Sequence, residues 1–244
     1  MLGAREALRA IFPDEFPNSV LDVGCGSGSW LAAALELGAK DVVGVERVKI
    51  HAELMQVDAG SVKRADLATP LDLGRKFELV LCLETAEHLE AAHASTLVDS
   101  LARPGNRILF SAAVPGQSGM GHVNCQWPSY WQALFNARGF VCSDEVRWAI
   151  WDNPKIEPWY RQNLMLAVRD EARAGREPRV RSVVHPDLFA LHSAGDQLRE
   201  IEQGALPASW YAITPVTAAA AKLGRAVARL ASSSARRRKV TPRA

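Results

Sequence analysis

The sequence predicts a doubly wound α/β domain, a mostly parallel sheet covered by helices on both faces. Three observations predict it. Short apolar runs alternate with helix-like segments up to about Asp152. The first run ends in glycines at 24, 26 and 28. Single helices separate successive runs, which calls for right-handed crossovers and parallel pairing.

The elements follow in order. Ser19-Val-Leu-Asp-Val23 is the first strand, and residues 29–37 form a helix stopped by Gly38. Asp41-Val-Val-Gly-Val-Glu46 is the second strand and Val62-Lys-Arg-Ala-Asp66 a weakly marked third. Phe77-Glu-Leu-Val-Leu-Cys-Leu83 is the clearest buried strand. A helix over 91–102 ends before Pro104-Gly105, and Arg107-Ile-Leu-Phe-Ser111 is the next strand. Residues 127–138 form a helix with Gly139 at its stop. Beyond Asp152 the pattern loosens. Residues 159–168 read as a last edge strand, 169–181 as a polar surface excursion, and 183–189 as an ordered return with His185 in a turn before Pro186. A solvated helix is expected over 191–203. Residues 1–215 are assigned to the domain with its C-terminal excursion, and 216–244 to an Ala-rich basic tail whose end, 232–244, reads as disordered.

Composition excludes several classes. Of 244 residues, 48% are hydrophobic and 23% charged, as in a globular chain. No run approaches the ~18 to 20 uncharged apolar residues of a membrane span. The first ten residues, Met1-Leu-Gly-Ala-Arg-Glu-Ala-Leu-Arg-Ala10, are charged and amphipathic, unlike a secretion signal. Cys25, Cys82, Cys125 and Cys142 lack CxxC or Cys/His spacing, which argues against a disulfide scaffold or a zinc module. The expected location is therefore the reducing cytoplasm. Residues 222–244 hold eight positive charges and no carboxylate, so the +2 of the whole chain leaves −6 on residues 1–221. That acidic body offers no nucleic-acid footprint. For the tail three readings stand in order: a solvated extension, a peripheral tether to an anionic membrane surface, and nucleic-acid contact.

Leu21-Asp-Val-Gly-Cys-Gly-Ser-Gly28 joins the first strand to its helix. Its glycines allow a tight turn and close approach of a ligand, and the helix start behind them offers free N–H groups. A dinucleotide fingerprint would need glycine where Ser29 stands, and the Gly-Lys-Ser/Thr of a phosphate loop is absent. Asp22 would repel a pyrophosphate but suits an ammonium or sulfonium group. Glu46 closes the second strand 22 residues after Gly24, where a carboxylate can accept both hydroxyls of a ribose. Asp66, after the third strand, stands where an adenine amino group would lie.

These residues and the later stretch Leu83-Glu-Thr-Ala-Glu-His-Leu89 resemble the class I S-adenosylmethionine-dependent methyltransferases. Phe110-Ser-Ala-Ala-Val-Pro-Gly-Gln117, Gly121-His-Val-Asn124 and Gln126-Trp-Pro-Ser-Tyr-Trp131 resemble a small subgroup associated with glycan and natural-product clusters and with phages. The resemblance covers residues 15–168. It implies a Rossmann-like methyltransferase fold with a mostly parallel sheet and an antiparallel edge strand. It also implies S-adenosyl-L-methionine as cofactor, held by Asp22, Gly24, Cys25, Gly26, Gly28, Glu46, Asp66, Leu67 and Leu83. The subgroup usually carries Glu where this chain has Cys125.

Methyl transfer needs an aligned nucleophile and, for a hydroxyl, removal of its proton. Two clusters stand where the acceptor should bind: Glu84, Glu87 and His88 after the fourth strand, and His122, Asn124 and Gln126 after the fifth. His122 is the first candidate base, followed by His88, with Glu84 lining the acceptor pocket. Trp127, Tyr130, Trp131, Trp148, Trp151, Trp159 and Tyr160 would pack the core and lid, or stack on a sugar ring. His51, His93, His185 and His192 show no ligand spacing with carboxylates, so no metal is assigned. The expected activity is O-methylation of a saccharide or other small metabolite. N-methylation of an amino sugar or amine, and a non-catalytic cofactor-binding subunit, are the alternatives.

Overall fold

A computed structural model describes residues 2–191, so what was expected of 192–244, the basic tail included, lies outside the described residues. Among the described residues seven strands make one sheet: β1 (Ser19–Val23), β2 (Asp41–Glu46), β3 (Val62–Arg64), β4 (Leu79–Leu83), β5 (Arg107–Ser111), β6 (Phe140–Ser143) and β7 (Met165–Arg169). Their spatial order is β3-β2-β1-β4-β5-β7-β6. The first five pair in parallel, while β7 runs antiparallel to both β5 and β6.

Strand alternation sorts the core into two layers. On β4, Leu79, Leu81 and Leu83 face one layer with Ala7 and Leu8 of α1 (Leu2–Ile11) and Leu31 and Ala34 of α2 (Ser29–Glu36). Val80 and Cys82 face the other, with Leu97 and Leu101 of α3 (Ala94–Ala102) and Trp131 and Phe135 of α4 (Pro128–Asn136). All five residues of β4 are buried. A strand covered on both faces must be apolar at every position, which is why this run is the plainest in the sequence.

The first four strands and α2 lie where the sequence places them, with small differences at the ends. β4 begins at Leu79, and Phe77 pairs only with Gly105. Residues 91–93 form a 3₁₀ turn ahead of α3, and a second such turn covers Ala86–His88.

The C-terminal part corrects the sequence reading. The edge strand expected over 159–168 divides into α6 (Pro158–Asn163) and β7, and β7 inserts between β5 and β6. Pro158 at the first turn starts a helix where the apolar content suggests a strand. The outermost strand is β6, four residues directly after Gly139 and unmarked by any turn signal of its own, followed by α5 (Glu145–Ile150). His185 is a buried anchor rather than a turn residue: its Nε2 lies 2.9 Å from the Trp151 carbonyl, and its backbone N–H donates to Gln162 Oε1 at 2.8 Å. The polar excursion is also tied down. Glu177 Oε1 accepts from Gln132 Nε2, Asn136 Nδ2 and the Cys142 N–H at 3.0, 2.6 and 3.1 Å.

Candidate active site

The glycine turn leaves β1 with backbone N–H groups of Gly24 and Cys25 donated to the Val45 carbonyl. Gly24, Gly26 and Gly28 all have positive φ, at 82°, 51° and 82°. A Cβ at Gly24 would meet Thr85 at 2.3 Å, so the turn lies directly against the start of the segment after β4. A Cβ at Gly26 would meet nothing within 4 Å. The middle of the turn therefore faces open space, as a ligand cradle requires.

Glu46 closes this cradle from the side. Its Oε2 accepts from the Gly26 N–H at 2.9 Å, and its Oε1 accepts from the Arg47 and Val48 N–H groups at 2.8 and 3.0 Å. Asp66 Oδ1 accepts from the Ala68 N–H at 3.0 Å. A cavity of about 530 Å³ is lined by Gly24, Glu46, Asp66 and Leu67 together with Glu84, Thr85 and His88. Four successive strand ends, those of β1 to β4, supply these residues, as in open α/β sheets that bind ligands at the carboxyl edge.

Three of the expected cofactor residues stand behind the cavity instead of lining it. Asp22 is 2% exposed, and burial, then the charge of Glu46, pushes its carboxyl up to about 8. Cys25 turns its thiol into the core layer, against the position a Cβ on Gly44 would take. Leu83 packs in that same layer.

Glu84 has φ 49°, a left-handed conformation uncommon for a residue with a side chain. Several bonds hold it there. Its N–H donates to the Ser111 carbonyl and hydroxyl at 3.0 and 3.1 Å, while its carboxylate accepts from Gln117 Nε2 at 2.9 Å and Asn163 Nδ2 at 3.0 Å. Burial raises the Glu84 carboxyl only to about 6, because Asn163, Ser111 and Gln117 donate to it. Glu87 differs: burial and the Glu84 charge raise its carboxyl more than the backbone N–H groups of Glu87 and Ala113 lower it. It is fully buried with both carboxylate oxygens unpartnered, and burial, then the Glu84 charge, pushes it up to about 8.

The two sequence clusters meet here. The Val123 and Asn124 N–H groups donate to the Glu87 carbonyl at 2.9 and 3.0 Å, which pins the loop after β5 onto the turn after β4. His122 Nε2 then lies 4.0 Å from Glu87 Oε1, and the His88 and His122 rings are edge to face at 5.0 Å. Cys125 stands on the far side of His122, its sulfur 3.8 Å from Nδ1. Sequence reasoning missed Thr85, Gln117 and Asn163 as parts of this site. Gln117 carried a signal, since it closes a Pro-Gly turn beside the candidate loop, but Asn163 carried none. Of the aromatics, Trp131 packs on Phe110 at 5.1 Å and Tyr160 on Trp30 at 4.9 Å, both as core pairs.

Comparison with known proteins agrees with this geometry. A family model described as a methyltransferase domain matches residues 3–145. The chain is 29% identical over 136 residues to the ribosomal protein L11 methyltransferase of Xanthomonas campestris pv. campestris (strain 8004), covering 49% of this chain and 43% of that protein. It is 31% identical over 107 residues to the protein of the same name from Laribacter hongkongensis (strain HLHK9), covering 41% and 34%. The chain thus spans less than half the length of the curated relatives it matches. Among solved structures it resembles the sugar N-methyltransferase KedS8 from Streptoalloteichus sp ATCC 53650, with TM-score 0.53, 21% identity, and coverage of 70% and 87%. It also resembles magnesium protoporphyrin IX methyltransferase (ChlM) from Synechocystis PCC 6803 with bound SAH, with TM-score 0.50, 20% identity, and coverage of 69% and 84%. Both structural likenesses establish the fold. Membership is decided by the domain match over more than half of the chain: the protein belongs to the class I S-adenosylmethionine-dependent methyltransferases.

Proposed function

We propose that the protein transfers a methyl group from S-adenosylmethionine to a hydroxyl of a saccharide or other small polar metabolite. The cavity that joins the glycine turn to Glu84 and His88 carries this reading, because it sets cofactor-type and acceptor-type groups against one space.

The residues present fit the cofactor. The open face of Gly26 admits a ligand against the backbone. A carboxylate has about four acceptor sites, and the three N–H groups on Glu46 leave capacity for a ribose hydroxyl. The buried Asp22 carboxyl gains a compensating charge from an ammonium group nearby. Bound S-adenosylmethionine supplies an electrophilic methyl carbon on a sulfonium sulfur, which leaves as a neutral thioether.

The chain's own groups serve the acceptor. Asn163 and Gln117 hold the Glu84 carboxylate in one orientation, where it can accept from a hydroxyl of the acceptor. His88 lines the cavity with His122 and the buried Glu87 behind it, a polar group that can serve a hydroxyl in loss of its proton. A second reading, N-methylation of an amino sugar, is favoured by the Glu84 carboxylate at the cavity wall, which attracts an ammonium. The likeness to a sugar N-methyltransferase supports an acceptor of that size.

Incubation of the full chain with methyl-labelled cofactor and a panel of saccharides and amino sugars tests the proposal by mass spectrometry. Label in an alkali-stable ether is the expected result. Label confined to amines would select the second reading, and no transfer by protein that binds S-adenosylhomocysteine would overturn both.

A further inference from the structure

We infer that Glu87, His88 and His122 form a binding site for one divalent metal ion of the first transition row or zinc. One ligand atom from each residue can be chosen so that all three lie within 4.8 Å of one another.

The second contacts of these residues point to a ligand. A carbonyl only accepts, so the 3.2 Å contact of His88 Nδ1 with the Gly121 carbonyl places the proton on Nδ1. His122 Nδ1 likewise donates to the Gln117 carbonyl at 3.2 Å. Each neutral ring then keeps its lone pair on Nε2. Histidine ligands to metals are oriented by this same bond from the other ring nitrogen. Glu87 supplies the independent observation. It is fully buried, both its oxygens lack a hydrogen-bond partner, and Oε1 lies 4.0 Å from His122 Nε2. A buried carboxyl whose oxygens find no well-formed hydrogen bond is costly unless something compensates it. A cation between it and two imidazoles does so.

Ligand chemistry narrows the ion. Two imidazoles and one carboxylate suit zinc, manganese or iron(II) better than magnesium, which prefers oxygen ligands. Bonds of about 2.1 Å need ligand atoms roughly 3 to 3.5 Å apart, so the three side chains must close by about an ångström. The glycine-rich loop permits this approach. A Cβ on Gly119 would lie 2.2 Å from His122 Nε2, so only glycine at 119 lets the ring stand there. Cys125 lies on the Nδ1 side of His122, so its thiol replaces no ligand of this set.

The role of the ion rests on the methyltransferase reading; its binding does not. His88 also lines the cavity. Coordination positions left open would receive the acceptor hydroxyl and ease loss of its proton to solvent at the exposed His88 side. His122 would then be a ligand instead of the general base expected from sequence.

The test uses the full chain, freed of affinity tags and treated with EDTA. Zinc and manganese(II) are titrated by calorimetry, and manganese(II) also by electron paramagnetic resonance. One ion per chain is expected, with affinity reduced at least about tenfold in Glu87→Gln, His88→Ala and His122→Ala. Gly119→Ala keeps every ligand but places a methyl against Nε2, and it should weaken binding as well. Circular dichroism identifies folded variants, and Gly119→Ala decides if Glu87→Gln does not fold. No saturable binding, or equal affinity in folded Glu87→Gln and His122→Ala, would overturn the site. Binding of S-adenosylhomocysteine in EDTA is expected to persist. Its absence would overturn the methyltransferase reading and leave the metal result standing on its own.

Discussion

Asn163 donates its side-chain amide to Glu84 Oε1 at 3.0 Å, linking the end of α6 to the left-handed residue that leaves β4. The same amide donates to Gln117 Oε1 at 2.9 Å, and Gln162 Nε2 donates to Asn163 Oδ1 at 3.0 Å. The segment after Asp152 is thus a wall of the site.

Replacing Asn163 by Ala removes all three of these bonds and leaves Glu84 and Gln117 short of a donor and Gln162 short of an acceptor. The expected cost is about 1 to 3 kcal/mol of stability, read by denaturant unfolding. Turnover should fall while affinity for S-adenosylhomocysteine stays the same, because Asn163 touches the acceptor side only. Equal losses of both would show that Asn163 merely holds the fold.

Two glycines in one turn should behave differently. A side chain at Gly26 enters open space, so Gly26→Val keeps a cooperative melt, at a cost of about 1 to 2 kcal/mol for its positive φ, and loses cofactor binding. A side chain at Gly24 strikes Thr85, so Gly24→Val destabilises the domain itself. Calorimetry and thermal melts on both variants separate the cases. Unchanged cofactor affinity in Gly26→Val would remove the turn from the binding site.

Asp22 makes the cofactor-free protein sensitive to pH. Its folded carboxyl sits near 8, through burial and then Glu46, while the unfolded group ionises near about 4. As pH rises from about 4 to 8 the unfolded chain sheds a proton that the folded chain keeps, so this group lowers stability progressively and adds nothing further above 8. Asp22→Asn removes the effect. Its advantage over the wild type in urea unfolding should widen from pH 5 to pH 8, and a constant gap would refute the assignment.

Glu177 acts in the opposite sense. Burial alone would raise its carboxyl, but bonds from Gln132, Asn136 and the Cys142 N–H outweigh that and hold it at about 2. Its stabilisation is present above about 4.3 and is lost as pH falls toward 2. Glu177→Gln should be less stable than the wild type at pH 7, and the difference should close on acidification. Melting curves at pH 7, 4 and 2.5 give the comparison.

Much of this molecule is legible in the chain because its rules are local. β4 is apolar throughout because both faces are covered, and the glycines between β1 and α2 follow from the left-handed backbone they adopt. Carboxylates at the ends of successive strands mark one edge of the sheet, which is why the chain alone sets Glu46 and Asp66 beside Gly24. What the tertiary structure decided depends on contacts distant in sequence. β7 enters between β5 and β6 because pairing across the sheet, not local propensity, selects its place, and Pro158 turns the preceding residues into helix. Glu87 and His122 are 35 residues apart and meet because two backbone N–H groups of one loop find the Glu87 carbonyl. Asn163 reaches Glu84 over a longer span still. Periodicity reports which face of an element a residue occupies, whereas the partner across the cavity is set by how the strands are ordered and how the loops at their ends are tied.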